Sequence, residues 1–218
     1  MEKITNKSTV KRKTAVIVAN GKFPIHPIPL KVLKAAKFII ACDGAVKKLV
    51  DKKIIPDIII GDLDSISKKL KKRFKDRIIE DYDQNTNDLT KSVTWAKNNG
   101  FEKVTILSAT GKREDHTLGN ISLMYSYSRM MEVEMITNMG ILKAIRQTTS
   151  FDCSEGQQIS IFSNQPELKI NSKGLKYQLD GLQLRELWMG TLNEALNKKF
   201  TLEFEDGEVL VFFSFSNE

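Results

Sequence analysis

Short apolar runs alternate with amphipathic stretches over the first two thirds of this 218-residue chain. The runs are four or five residues long, which is typical of buried strands, and the stretches between them carry apolar side chains at helical spacing. Strands that alternate with helices favour an α/β layer with a mostly parallel sheet. The predicted strands are 15–19, 38–41, 57–60, 104–107 and 133–136, and the predicted helices are 30–36, 45–50, 89–96 and 118–131.

The pattern changes after about Gly140 to short alternating segments separated by glycines. Residues 158–162, 200–204 and 209–215 are strand-like. The segment Glu205-Asp206-Gly207-Glu208 is typical of a hairpin turn, so we expect the last two of these strands to pair. A small all-β domain at residues 141–218 is therefore predicted to follow an α/β domain at residues 1–140.

Composition favours a folded protein, because 41% of the residues are hydrophobic. No stretch approaches the roughly 20 apolar residues that cross a membrane. We therefore expect a soluble, cytoplasmic protein with no membrane partner. The two cysteines, Cys42 and Cys153, indicate neither a disulfide framework nor a cysteine metal site.

The net charge of +7 is unevenly distributed. Residues 1–75 hold 19 Lys and Arg against 6 Asp and Glu, and the remainder holds 15 against 21. Such asymmetry can indicate a nucleic-acid partner. Much of the excess lies in residues 67–75, where Leu70 and Phe74 recur at helical spacing and lysines cover the opposite face. A solvated helix face is the preferred interpretation, attraction of an anionic nucleotide is the second, and nucleic acid is not expected.

Two carboxylates follow the predicted strand 57–60 within the segment Gly61-Asp62-Leu63-Asp64-Ser65. Side chains two apart on an extended segment point the same way, so Asp62 and Asp64 can share one ion. Adjacent carboxylates repel each other, and a hard divalent cation such as Mg²⁺ is the usual reason to hold them together. The segment predicts a magnesium site that leaves coordination positions for phosphate.

Other polar motifs also follow strands or begin helices. Asp88 lies at a predicted helix start after Asn87, where the helix dipole favours a carboxylate. The loop after strand 104–107 supplies Lys112 and Arg113, and a guanidinium can bind phosphate oxygens at two points. Ligands of open α/β sheets bind beyond the carboxyl ends of the strands, so we expect these groups to converge.

Taken in order, these motifs resemble those of the thiamine pyrophosphokinase family, which transfers a diphosphate from ATP to thiamine. Four positions depart from the family pattern. Asn87, Lys112 and Leu192 stand where the family more often has Thr, Gly and Ser, and Glu114 replaces an apolar residue. The segments that carry the resemblance are Ala19-Asn20-Gly21, Cys42-Asp43-Gly44-Ala45, Gly61-Asp62-Leu63-Asp64-Ser65-Ile66, Gln84-Asn85-Thr86-Asn87-Asp88-Leu89-Thr90-Lys91, Gly111-Lys112-Arg113-Glu114-Asp115-His116-Thr117-Leu118-Gly119-Asn120 and Gly174-Leu175-Lys176-Tyr177-Gln178-Leu179.

The resemblance implies an α/β catalytic domain at 1–140 and a β-sandwich domain at 141–218 that binds thiamine. It further implies a homodimer with thiamine near the subunit interface, Mg²⁺ as cofactor and ATP as co-substrate. In the implied reaction the thiamine hydroxyl attacks the β-phosphorus of ATP and AMP leaves. Trp188 and Phe212 are expected to pack in the core rather than on the thiamine ring.

The resemblance also implies roles for individual residues. Asp62, Asp64 and Asp88 would hold the metal, Arg113 would bind phosphate, and Asp115 would be either a metal ligand or the base for the hydroxyl. These five form the predicted catalytic set. The residues predicted to bind substrate or nucleotide are Asn20, Asp43, Gly44, Gln84, Asn87, Lys91, Arg113, His116, Thr191 and Asn193.

Two other classes of function use the same residues differently. A divalent-metal nucleotide phosphohydrolase would use the same acids with water as nucleophile. A basic nucleic-acid-binding module would make the acids incidental and would bind with a steep salt dependence.

Overall fold

The computed structural model describes residues 12–215, which form two β-sheets and five α-helices. The helices are α1 (Pro27–Ala35), α2 (Ala45–Asp51), α3 (Lys68–Arg73), α4 (Asp88–Asn98) and α5 (Glu114–Met130), with a 3-10 turn at Lys75–Arg77. The strands are β1 (Thr14–Val18), β2 (Ile39–Cys42), β3 (Ile58–Gly61), β4 (Ile78–Glu80), β5 (Lys103–Leu107), β6 (Glu132–Ile136), β7 (Gly140–Ile145), β8 (Thr149–Asp152), β9 (Gln158–Ser163), β10 (Lys169–Lys173), β11 (Leu182–Gln183), β12 (Asn193–Glu194), β13 (Lys199–Glu203) and β14 (Val209–Ser214).

The larger sheet has ten strands in the order β12-β9-β14-β7-β6-β5-β1-β2-β3-β4. The six strands from β6 to β4 are parallel, and β7, β14, β9 and β12 pair antiparallel. The predicted mostly parallel α/β sheet is thus confirmed. Because β6 pairs with β7, the sheet continues without a break across residue 140. The division into domains at 140 and 141 stays a prediction.

Buried side chains cover both faces of the parallel strands, which explains why these strands are continuously apolar in sequence. Ile17 and Ile40 point to the face that α4 and α5 cover. Val18 and Ile59 point to the opposite face, against α1 and α2. The alternation of side chains along each strand distributes neighbouring residues to the two layers.

Helix α3 has the predicted solvated face. Leu70 and Phe74 pack against the core, whereas Lys68, Lys69 and Lys72 are exposed. The lysine-rich segment therefore satisfies the ordinary pattern of an amphipathic surface helix.

The region after residue 140 is antiparallel, as predicted. The smaller sheet, in the order β11-β10-β13-β8, packs on β9 and β14 of the larger one. The ring of Phe151 lies with its centroid 5.1 Å from that of Phe200 and 5.2 Å from that of Phe213. These rings join the two layers, because they come from strands of both sheets.

The predicted hairpin at residues 205–208 is wrong. Strand β13 pairs with β8 and β10, whereas β14 pairs with β7 and β9. Phe200 and Leu202 of β13 share one buried core with Val209 and Val211 of β14. The two strands stack face to face across the layers because each must bury one apolar face, so the turn passes from one sheet to the other.

The strand order reverses at β1, which lies between β2 and β5. Loops that leave the carboxyl ends of β1 and β5 diverge to opposite faces at such a point and leave a crevice between them. The predicted motifs at Asn20 and Arg113 flank this crevice, and those at Asp43 and Asp62 follow the two adjoining strands.

Candidate active site

A cavity of about 450 Å³ lies at the carboxyl ends of β1, β2, β3 and β5. The first residues of α4 and α5 close its other sides. The structure thus brings together residues that are up to 101 positions apart in the chain, from Ala19 to Asn120. The predicted site residues that line it are Asn20, Asp43, Gly44, Asp62, Asp64, Asn87, Asp88, Arg113 and His116.

Three carboxylates form an acidic cluster in this cavity. One oxygen each from Asp43, Asp62 and Asp64 lies within 4.8 Å of the others. Asp43 is buried, and its Oδ1 has no hydrogen-bond partner in the described part of the chain. Burial raises the pKa of Asp43, and the charges of Asp64 and Asp62 act in the same direction. A buried, unpartnered carboxylate oxygen beside two more carboxylates fits a hard divalent cation, which takes oxygen ligands.

Asp88 approaches this cluster from the first turn of α4. A Cβ atom on Gly61 would lie 2.8 Å from Cβ of Asp43 and 3.0 Å from Oδ1 of Asp88, so only glycine permits this approach. The φ of Gly61 is +153°, which also disfavours other residues. Burial raises the pKa of Asp88 to about 6, the carboxylate of Asp43 adds to this, and Lys91, 3.8 Å away, opposes it.

Asp62 and Asp64 approach Asp43 by a different route from the one predicted. Strand β3 ends at Gly61, and Leu63 has a left-handed φ of 65°, so the segment is a turn rather than an extended chain. Leu63 is 1% exposed, and its side chain anchors the turn in the core. The expectation of an extended segment is wrong, because burial of Leu63 bends the backbone between the two acids.

Lys91 and Asp115 do not line the cavity. Lys91 is buried, and its Nζ donates to the carbonyl of Asp81 at 2.7 Å. Its charge therefore stabilises the ionised form of Asp88, and its hydrogen bond holds the loop before α4. Nε of Arg113 donates to Oδ1 of Asp115 at 3.1 Å, and this contact lowers the pKa of Asp115 to about 2. Asp115 orients the guanidinium, and so low a pKa makes it a weak base.

Asn87 and His116 line the cavity, but the structure gives them local roles as well. Oδ1 of Asn87 accepts from the backbone N–H of Thr90 at 2.8 Å and caps α4. The backbone N–H of His116 donates to Oδ1 of Asp115 at 2.8 Å, within the first turn of α5. Both residues therefore help to set the helix starts that form one wall of the cavity.

The remaining predicted residues lie outside the cavity. Gln84 is exposed in the loop between β4 and α4. Oγ1 of Thr191 donates to the carbonyl of Trp188 at 2.7 Å. The buried amide of Asn193 donates to the carbonyl of Tyr177 at 2.6 Å and accepts from its N–H at 3.1 Å. Asn193 thus ties together two backbone segments of the antiparallel region.

The core position predicted for Trp188 is wrong, because this side chain is 72% exposed. Leu192 in the same turn is 67% exposed. Phe212 is partly buried and packs against the main core, as expected. Local spacing did not reveal the exposure of Trp188, since an apolar residue in a short segment is usually buried.

Sequence reasoning missed Lys48, whose Nζ donates to the backbone carbonyls of Asn20 and Gly21. Lys48 lies four residues after Gly44, one turn into the helix that follows the Asp43-Gly44 motif. The spacing of four residues between Gly44 and Lys48 was the signal that could have identified Lys48, because residues one helical turn apart lie on the same face of a helix.

Residues 30–136 match the family model described as the catalytic domain of thiamin pyrophosphokinase, and residues 140–212 match its substrate-binding domain. The chain belongs to the thiamin pyrophosphokinase family. The resemblance seen in the ordered motifs is confirmed. The protein is therefore an ATP-dependent diphosphotransferase that acts on thiamine, and the phosphohydrolase alternative is not supported.

Relatives in the thiamin pyrophosphokinase family are distant in sequence. Thiamine pyrophosphokinase 1 of Oryza sativa is 26% identical over 201 residues, which cover 78% of this chain and 75% of the relative. The thiamine pyrophosphokinase of Bacillus subtilis is 31% identical over 117 residues, covering 52% of this chain and 55% of that protein.

Solved structures of this family share the fold. A crystal structure of thiamine pyrophosphokinase from Bacillus subtilis has a TM-score of 0.80 at 23% identity and covers 94% of this chain and 100% of that chain. Thiamin pyrophosphokinase from Candida albicans has a TM-score of 0.80 at 19% identity, with 93% and 90% covered. Among the described residues, no helix is long and apolar enough to cross a membrane.

Proposed function

We propose that diphosphate is transferred in the cavity beyond β1, β2, β3 and β5, from ATP to the hydroxyl of thiamine. The observation that carries the proposal is the acidic cluster of Asp43, Asp62 and Asp64, which includes a buried oxygen without a partner. It lies beside the point where the strand order reverses, the usual place for a nucleotide in an open α/β sheet.

Asp43, Asp62 and Asp64 would hold Mg²⁺, with Asp88 adding negative charge from α4. When bound, the cation neutralises the charge of the phosphates. The chain itself supplies a rigid arrangement, since Gly61 allows the ends of β2, β3 and α4 to approach closely. Asp43 is thus added to the predicted ligands Asp62 and Asp64. The predicted ligand Asp88 lies beside these three and is not a member of the cluster.

The proposed transfer is a displacement at the β-phosphorus. The thiamine oxygen forms a bond to that phosphorus and loses its proton, while the bond to the oxygen of the α-phosphate breaks and its electron pair stays on AMP. Arg113 lines the cavity and is held by Asp115, so its guanidinium is oriented toward phosphate before substrate binds. Asp115 acts here as a positioning residue.

Thiamine recognition is proposed to involve residues 141–218, as well as a second copy of the chain. The match to a substrate-binding domain over residues 140–212 supports the first part. Tyr177, Leu187, Trp188 and Leu192 are each more than 60% exposed in this region, and large exposed apolar side chains favour an interface. A homodimer would cover them. Light scattering on the purified protein would test this assembly, and a monomer at all concentrations would contradict it.

A cytoplasmic location also remains a proposal from the sequence.

A product analysis tests the reaction. Incubation with ATP, Mg²⁺ and thiamine should give AMP in step with thiamine diphosphate, and hardly any AMP without thiamine, because a transferase must exclude water from the site. Stoichiometric ADP, or equal breakdown of ATP without the acceptor, would overturn the proposal.

Two variants test the acidic cluster. Asp62→Asn and Asp64→Asn should each abolish turnover while leaving the far-UV circular dichroism unchanged, because the change removes charge but almost no volume. Asp180→Asn, in an exposed turn, is the matched control and should retain the normal rate. Normal rates of either cluster variant at saturating Mg²⁺ would contradict the assignment.

A further inference from the structure

Two lysines from different elements meet at the loop that follows β1. Nζ of Lys48, on α2, donates to the backbone carbonyls of Gly21 and Asn20, the latter at 3.3 Å. Nζ of Lys112, in the loop after β5, donates to Oδ1 of Asn20 at 3.3 Å. Both cations are therefore bonded to Asn20. Asn20, Gly21 and Lys112 line the cavity, and Lys48 is bonded to that wall through the first two.

No carboxylate neutralises this pair. Within residues 12–215, neither Lys48 nor Lys112 has a carboxylate oxygen within 4.0 Å. Burial, followed by the nearby Lys112, lowers the pKa of Lys48 to about 8. Two cations held together repel each other, and an anion between them removes that repulsion. Arg113 differs, because Asp115 already pairs with it.

The loop that holds the lysines has little freedom to move. A Cβ atom on Gly44 would lie 2.6 Å from Nδ2 of Asn20, and one on Gly21 would lie 2.3 Å from the carbonyl oxygen of Ser108. The backbone around Asn20 is thus packed tightly against the ends of β2 and β5. The two ammonium groups are placed before any ligand arrives, which reduces the cost of ordering them on binding.

We propose that Lys48 and Lys112 form an anion site that binds the α-phosphate of the nucleotide, the group that leaves as AMP. The inference rests on the proposed function and deepens it. The acidic cluster at β2 and β3 would suit phosphates that carry a metal ion. Lys112 lines the other wall, beside β1 and β5, and Lys48 is bonded to Asn20 and Gly21 of that wall. Charge accumulates on the α-phosphate as its bond to the β-phosphorus breaks, and prepositioned cations stabilise that charge.

Calorimetric titration with AMP tests the site without turnover. Lys48→Gln and Lys112→Gln should each raise the Kd for AMP at least ten-fold, since each removes a charge-assisted hydrogen bond. Lys47→Gln is the matched control, because Lys47 is the exposed neighbour of Lys48 on the same helix. Its Kd should stay within two-fold of the wild-type value. The KM for thiamine should also stay within two-fold of the wild-type value in Lys48→Gln and Lys112→Gln.

An AMP affinity in Lys112→Gln equal to that of Lys47→Gln would overturn the inference. An equal rise in the KM for thiamine would do the same, since it would show a structural role. Lys112 is exposed, so its variant decides the matter if Lys48→Gln does not fold. The product analysis of the wild type distinguishes failure of this inference from failure of the proposed function. If the wild type forms AMP normally but the variants bind AMP as the wild type does, only the lysine site is refuted. If the wild type forms no AMP, the proposed function itself is refuted.

Discussion

Asp88→Asn should stabilise the metal-free protein while abolishing turnover. In the folded protein, burial and then the carboxylate of Asp43 raise the pKa of Asp88 from 3.8 to about 6. The folded state therefore binds this proton more tightly than the unfolded state does. Ionisation of Asp88 lowers the free energy of unfolding as the pH rises from about 4 to about 6, and the loss persists above that range. The neutral amide avoids this loss.

The size of the gain follows from the pKa. A tenfold change in proton affinity is worth about 1.4 kcal/mol. If the whole rise in the pKa of Asp88, from 3.8 to about 6, were expressed as a loss of stability, the free energy of unfolding would fall by about 3 kcal/mol. The Asp88 side chain is 31% exposed, and solvent screening reduces the part that reaches stability. We expect about 1–2 kcal/mol at pH 7.5, which is roughly 2–8 °C in Tm for a chain of this length.

Thermal unfolding in EDTA, followed by circular dichroism at pH 7.5 and at pH 4, checks this. The stabilisation should be complete at pH 7.5 and should nearly vanish at pH 4, where Asp88 is protonated in the folded wild type. Asp180→Asn is the control and should change little at either pH. Added Mg²⁺ should stabilise the wild type more than the variant. A variant that melts at or below the wild-type temperature in EDTA at pH 7.5 would refute the reasoning.

Three further predictions concern the same architecture. Gly61→Ala should lower the free energy of unfolding by about 1–3 kcal/mol and abolish turnover, because its Cβ would contact Asp43 and Asp88; urea unfolding and the product analysis measure both. Asn193→Ala should cost about 1–3 kcal/mol in urea unfolding, since a buried amide that bridges two backbone segments is lost. EDTA should stop turnover of the wild type, and added Mg²⁺ should restore it.

The controls for these predictions come from the chain itself. Gly100→Ala lacks a neighbour within 4 Å of the added Cβ, so it shares the positive φ of Gly61 without its crowding and should retain turnover. Thr191→Ala should change stability by less than about 0.5 kcal/mol, because Thr191 is exposed. Full activity of Gly61→Ala, a harmless Asn193→Ala, or turnover that persists in EDTA would each count against the corresponding inference.

The parallel sheet and the place of the motifs could be predicted because both depend on local pattern. Strands such as β2 and β3 are buried on both faces, so they appear in sequence as uninterrupted apolar runs. Polar residues directly after such runs must lie at one edge of a parallel sheet. Asp43, Asp62 and Arg113 accordingly line one cavity.

Other features depend on packing between residues that are far apart in the chain, which a short stretch of sequence does not reveal. Leu63 adopts a left-handed φ because its side chain is buried, and neither neighbour signals that turn. Lys48 and Lys112 are 64 positions apart and meet only through Asn20. The turn at 205–208 has hairpin composition, yet its flanking strands belong to different sheets, since that choice depends on which partners β8 and β9 leave available.

The central position of β14 constrains how the chain can assemble. This strand, which ends at Ser214, lies between β7 and β9 and is hydrogen-bonded to both. During synthesis, β7 and β9 emerge from the ribosome well before their common partner. Each then presents an unpaired edge, the kind of surface on which chains associate wrongly. Because β14 follows β7 and β9 in the chain, these two strands can join one sheet only after β14 has been synthesised.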